Sequence, residues 1–132
     1  MKLTRAADYA IRLLTYLSAN EGEGTAVELA KEIDVPFNHL AKLVQILSRH
    51  GYITTKKGKG GGLKLAKDPK QIDLAELVAA IEGPIVVSDC IFNRQTCRFS
   101  GKCQARKCLG KVRQAMVDVL SSTTIYDLVP AK

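Results

Sequence analysis

Residues 36–66 read PFNHLAKLVQILSRHGYITTKKGKGGGLKLA. Leu40, Leu43, Val44 and Leu47 recur at helical steps, so 36–50 predicts a helix with one apolar face. Asn38, Lys42, Gln45 and Arg49 fall on the opposite face, which is therefore polar and basic. Gly51 is the expected left-handed stop. The next fifteen residues, YITTKKGKGGGLKLA, predict a strand, a glycine-rich hairpin tip and a second strand. Upstream, Thr25 and Glu28 form a capping box for a short helix through Ile33, ended at Asp34-Val35-Pro36. Two helices joined by a tight turn and followed at once by a hairpin make a winged helix-turn-helix.

Four glycines in the five positions 58–62 also raise the question of a nucleotide phosphate loop. No GK[ST] is present, and a strand follows where a phosphate loop needs a helix N-terminus. The glycines are better explained by a tip that brings backbone close to a large anion, flanked by Lys56, Lys57, Lys59 and Lys64.

The charge distribution points the same way. The net charge is +7, and residues 38–70 alone hold eight Lys/Arg against one Asp/Glu. One contiguous stretch thus carries an excess equal to that of the whole chain, which favours a polyanion partner. With two histidines, no paired acid–base constellation and no nucleotide motif, an enzyme is not expected. No apolar run approaches the roughly 18 residues of a membrane span. MKLTRAADYAIRLLTYL is not a signal peptide, because Asp8 and Arg12 interrupt its apolar positions. A cytoplasmic address follows, in which thiols stay reduced.

Around the hairpin, residues 4–19 predict an amphipathic helix capped by Thr4, with Ala6, Ala10, Leu13, Leu14 and Leu17 on one face. Asp68-Pro69 makes a turn, and Ile72–Glu82 predicts a helix capped near Asp73 and stopped at Gly83-Pro84. A long helix is expected over about 105–121, with Leu109, Val112, Met116, Val119 and Leu120 forming an apolar side. A compact winged helix leaves that stripe little local core to cover, so a two-fold self-association helix is expected. The fold class is then mainly α with a small β-hairpin. Residues 1–84 form the DNA-binding domain, 85–104 a cysteine-rich loop, and 105–132 a dimerisation helix and tail.

All four cysteines lie at 90, 97, 103 and 108, spaced C-x6-C-x5-C-x4-C. Structural zinc sites bring at least one close C-x(2–4)-C knuckle, which only Cys103 and Cys108 approach. An iron–sulphur cluster tolerates wider loops. From Cys90 through Arg113 there are seven basic residues and no acid. Positive surroundings favour thiolates, whether as metal ligands or as redox-reactive groups. A zinc-stabilised module, a metal-free thiol sensor and a cluster protein all remain open on spacing alone.

Taken together, LTRAADYAIRLLTYLS, ELAKEIDVPFNHLAKLVQILSRHGYI, KGKGGGLKLA, the cysteine loop and TTIYDLV resemble a known family over nearly the whole chain. It is the family of winged-helix iron–sulphur cluster regulators that includes IscR and NsrR. The resemblance implies a homodimeric transcription factor whose binding to double-stranded DNA is controlled by a [4Fe-4S] or [2Fe-2S] cluster. It makes Cys90, Cys97 and Cys103 the three cysteine ligands, with Arg106 where the IscR-like branch has a histidine. Arginine cannot ligate. The NsrR-like branch instead uses an early aspartate from the partner subunit, and Asp8 stands in that register, with Cys108 as its rival. Arg5 and Arg12 are also spaced to pair with Asp8 on a helix surface. On the DNA side, Asn38, His39 and Lys42 are expected at base edges or phosphates, and Lys57, Lys59, Gly60 and Gly61 along the backbone or minor groove.

Overall fold

The structure is a computed structural model describing residues 3–20, 24–56, 62–87, 98–99 and 102–130. Helix α1 spans Arg5–Ala19, with the Thr4 hydroxyl accepting from the N–H of Ala7. Its buried side is Ala7, Ala10, Leu13, Leu14 and Leu17. Ala6, expected on that face, is exposed, and Ala7 takes its place. Periodicity does not separate the two: at 100° per residue both alanines fall within the arc that runs from Leu13 to Ala7, and the first turn of α1 covers Ala7 but not Ala6.

Helix α2 (Ala26–Glu32) starts with the full capping box of Thr25 and Glu28. Helix α3 (Phe37–Arg49) buries Leu40, Leu43 and Leu47 and turns its polar face outward. Gly51 follows with φ +79°, a left-handed conformation that glycine adopts without Cβ strain. Strands β1 (Ile53–Lys56) and β2 (Gly62–Leu65) then pair antiparallel, Ile53 opposite Leu65 and Lys56 opposite Gly62. A mainly helical chain with one two-stranded wing is the expected architecture.

The wing is fastened to the rest at two points. The N–H of Leu63 donates to the carbonyl of Gly24 at 2.8 Å, extending the hairpin towards the turn before α2. At the wing's base Tyr52 is 5% exposed, and burial, reinforced by Glu76 and Asp73, pushes its phenol above the usual range. The Gly24 contact explains one of the wing's glycines. A Cβ on Gly62 would sit 2.6 Å from the Gly24 carbonyl oxygen, which is backbone and cannot swing aside. Gly62→Ala is therefore expected to lower stability by about 1–3 kcal/mol, as overpacking does elsewhere. Urea denaturation checks this; an unchanged midpoint means the α2 turn and the wing are not tied.

After a 3-10 turn at Pro69–Gln71, helix α4 (Leu74–Glu82) is capped by Asp73, whose carboxylate accepts from the N–H of Glu76 at 2.8 Å. The long helix α5 covers Gln104–Ser121, and a short helix α6 covers Ile125–Leu128. The α6 turn returns to the core. The N–H of Leu74 donates to the carbonyl of Thr123, the N–H of Ile125 donates to that of Ile72, and Ile125 is fully buried in the core, its helix packing on α1 and on the 3-10 turn. Helix α5 itself buries no residue completely; Leu120 packs on the core, while Val112 and Val119 stay exposed. Among the described residues, no helix is long and apolar enough to cross a membrane.

Candidate nucleic-acid interface and cysteine site

Helix α3 begins at Pro36, which serves as N-cap and offers no side-chain cap of its own. Asn38, His39 and Lys42 are all exposed near this start, with Gln45 and Arg49 further along. Leu40, Leu43 and Leu47 anchor the opposite side, so burial of that side turns the polar row outward. Lys56 and Lys64 are exposed on the two strands of the wing. Lys57, Lys59, Gly60 and Gly61 lie outside the described residues. Those that are described put a row of polar and basic groups along α3 and two more lysines beside it in the hairpin, a distribution suited to the phosphates and base edges of a duplex.

The turn ahead of α3 has an unusual residue. Asp34 adopts φ +56°, the left-handed region that aspartate tolerates better than most residues. Arg12, reaching over from α1, secures this turn. Its guanidinium donates to the carbonyl of Ile33 at 2.9 Å and to that of Asp34 at 3.3 Å. The same group donates to the Asp8 carboxylate at 2.9 Å. Of the two arginines spaced to meet Asp8, Arg12 thus makes the ion pair, and it also carries a role that sequence reasoning missed. Backbone carbonyls some twenty residues away leave no mark on the spacing of charges, so no sequence signal pointed to it.

These contacts differ in weight. The Asp8–Arg12 pair is exposed and its contribution should stay below about 1 kcal/mol. Arg12→Ala also strips two carbonyls of a charged donor, and is expected to cost about 1–2 kcal/mol. Chemical denaturation of Arg12→Ala and Asp8→Ala tests the difference. Equal losses would mean the turn does not depend on the guanidinium.

Cys103 is the N-cap of α5, half-buried and in extended conformation, with its thiol free. It therefore stands at the positive end of an 18-residue helix dipole, where negative charge is stabilised. A soft donor at such a position fits an iron–sulphur cluster, whose thiolate-ligated core is anionic. Cys108, also free, is exposed one turn further on. Five helical steps turn the chain by roughly 140° net, so Cys108 leaves the helix on another side. Cys90 and Cys97 lie outside the described residues. Among the described residues no three His, Cys, Asp or Glu side chains gather in a metal-sized group.

The Rrf2 family, described as iron-dependent transcriptional regulators, matches residues 3–131. The chain belongs to the Rrf2 family. HTH-type transcriptional regulator NsrR of Bacillus subtilis is 34% identical over 135 residues, spanning 100% of this chain and 92% of that protein. CymR, the global cysteine regulator of B. subtilis, superposes with a TM-score of 0.79 at 24% identity, covering 97% of this chain and 95% of CymR. IscR of T. potens gives 0.78 at 21% identity, covering 97% and 85%. Identities this low speak for the fold alone, and the fold is the winged helix of Rrf2 regulators. An Rrf2 chain related to NsrR over its full length is a DNA-binding transcriptional regulator and not an enzyme.

Proposed function

We propose that this Rrf2 regulator acts in the cytoplasm as a homodimer, and that its hold on a two-fold DNA operator is set by an iron–sulphur cluster. Residues 1–84 read DNA, 85–104 carry the ligands, and 105–132 supply the dimer helix and the tail. Cys90, Cys97 and Cys103 hold the cluster, together with Asp8 of the partner subunit. When bound, the cluster supplies reactivity towards nitric oxide, oxidants or iron shortage. The chain's own residues do the rest. Asn38, His39 and Lys42 meet base edges or phosphates, and Lys57 and Lys59, with Gly60 and Gly61, follow the backbone at the wing.

The observation that carries this reading is the triple contact of Arg12. One guanidinium joins Asp8 to the carbonyls of Ile33 and Asp34, which form the turn leading into α3. Asp8 has two competing uses, as partner of Arg12 and as ligand. Drawing its carboxylate away from the guanidinium alters what steadies the turn, and with it the seating of α3. Occupied and empty ligand sets then differ in DNA affinity.

Purification without oxygen, followed by iron and sulphide counts and DNA titration before and after nitric oxide, tests the proposal. A brown protein whose affinity changes as the colour bleaches is expected. The second reading is metal-free thiol sensing, and the exposed, free Cys108 favours it. In that case the protein is colourless, contains no iron, and changes affinity with a disulphide oxidant.

A further inference from the structure

Tyr9 follows Asp8 on α1 and is half-buried, packed against the core side chains. Its ring centroid lies 5.8 Å from that of His39, with the two planes inclined by 45°. The guanidinium carbon of Arg12 lies 5.5 Å from the same centroid. The separation falls in the range of interacting aromatic pairs, and the tilt lies between the stacked and edge-to-face arrangements. Tyr9 is thus an anchored platform, with a cation over it that Ile33, Asp34 and Asp8 in turn hold in place.

His39 is the other member of the pair. It is exposed in the first turn of α3, the part of a recognition helix that comes closest to base edges. An exposed side chain on a helix surface exchanges among staggered rotamers unless a neighbour selects one. Asn38 and Lys42, equally exposed, have no such aromatic contact among the described residues. His39 does. An imidazole held in one orientation offers its ring nitrogens along fixed directions, which suits hydrogen bonding to a particular base edge more than to a phosphate approached from many angles.

We propose that Tyr9 is a positioning residue for base recognition. Its ring holds the His39 imidazole in the orientation that meets a base edge. Tyr9 itself touches no DNA, yet the preference for one sequence over another depends on it. The inference rests on α3 being the DNA-reading helix.

The test uses the full-length protein and two duplexes: one selected from a random pool by the wild type, and a shuffled duplex of the same composition. The reading is the ratio of the two dissociation constants. Tyr9→Leu and Tyr9→Met keep an apolar side chain on the core but remove the ring, and each should lower the ratio roughly fivefold or more, a scale set by losing one good base contact. Tyr9→Phe should leave the ratio near the wild-type value. In a His39→Ala background the same Tyr9 changes should alter the ratio by less than about twofold, since coupled residues are not additive. Equal losses in both backgrounds, or none in either, overturn the proposal, because a merely structural Tyr9 does not act through His39. An unchanged ratio for His39→Ala alone also overturns it, as there is then nothing to position. In that event Asn38→Ala and Lys42→Ala report separately on the reading helix: a lowered ratio keeps α3 as the reader, and an unchanged one removes it.

Discussion

Single replacement of Cys90, Cys97 or Cys103 by alanine is expected to give a colourless protein with little bound iron, whereas Cys108→Ala keeps most of the colour. The physical basis differs between the two halves of this expectation. A cluster held by three thiolates and one carboxylate loses a soft ligand with each cysteine change, and the remaining carboxylate is the weaker partner for iron. Cys103 sits at the head of α5, where the helix dipole stabilises an anionic group. Cys108 points to solvent from a different side of the same helix. The measurement is absorbance in the visible range together with iron content, on protein handled without oxygen. If Cys108→Ala loses as much iron as the others, Cys108 is a ligand and Asp8 is left with Arg12 alone.

DNA affinity is expected to collapse with salt. In the proposed dimer, Lys42 of α3 and the wing lysines would be presented twice and would neutralise several phosphates, each contributing a log–log slope of roughly 0.9. With six to ten such contacts, affinity should fall by about 10³- to 10⁵-fold between 50 and 200 mM salt. Lys57→Ala and Lys59→Ala should weaken selected and random duplexes alike and make the slope shallower. Asn38→Ala or Lys42→Ala should instead relax sequence preference, by about 1–3 kcal/mol for a good base contact. Fluorescence anisotropy over a salt series separates the two behaviours. An affinity that ignores salt would exclude DNA as the partner of residues 38–70.

The elements that were legible in the sequence are those whose signals are local. Leu40, Leu43 and Leu47 announce the buried side of α3 by their spacing. Thr25 and Glu28 announce the start of α2, and Gly51 its neighbour's end. Each depends on residues a few positions apart. The exposure of Ala6 on α1 is equally instructive, since alanines at both 6 and 7 fit the apolar face and give hydropathy no basis to choose between them. Helix α6 escaped as a separate element because four residues cannot display a period. Its place in the core depends on Ile125 meeting Ile72, far back in the sequence. For the site, exposed polar residues on α3 could be named in advance because their helix was. The second and third contacts of Arg12 could not, because carbonyl oxygens have no residue type. Cysteine spacing in turn identifies donors without identifying which sides of α5 they occupy.

Helix α5 has the mechanics of a lever. Its C-terminal end is pinned where Thr123 and Ile125 bond to the residues flanking Asp73, and Arg113 on its shaft donates to the carbonyl of Ile85 at 2.7 Å. Eighteen residues give an arm of about 27 Å from that pivot to Cys103. A swing of about 5° therefore carries the cysteine end through roughly 2 Å while the pivot barely moves. That bond ties Ile85, in the stretch leading towards Cys90, to the shaft of the helix. Both borders of the cysteine segment thus connect to one helix, Ile85 through the Arg113 hydrogen bond and Cys103 as its N-cap, so a tilt of α5 would be felt at both ends of that segment.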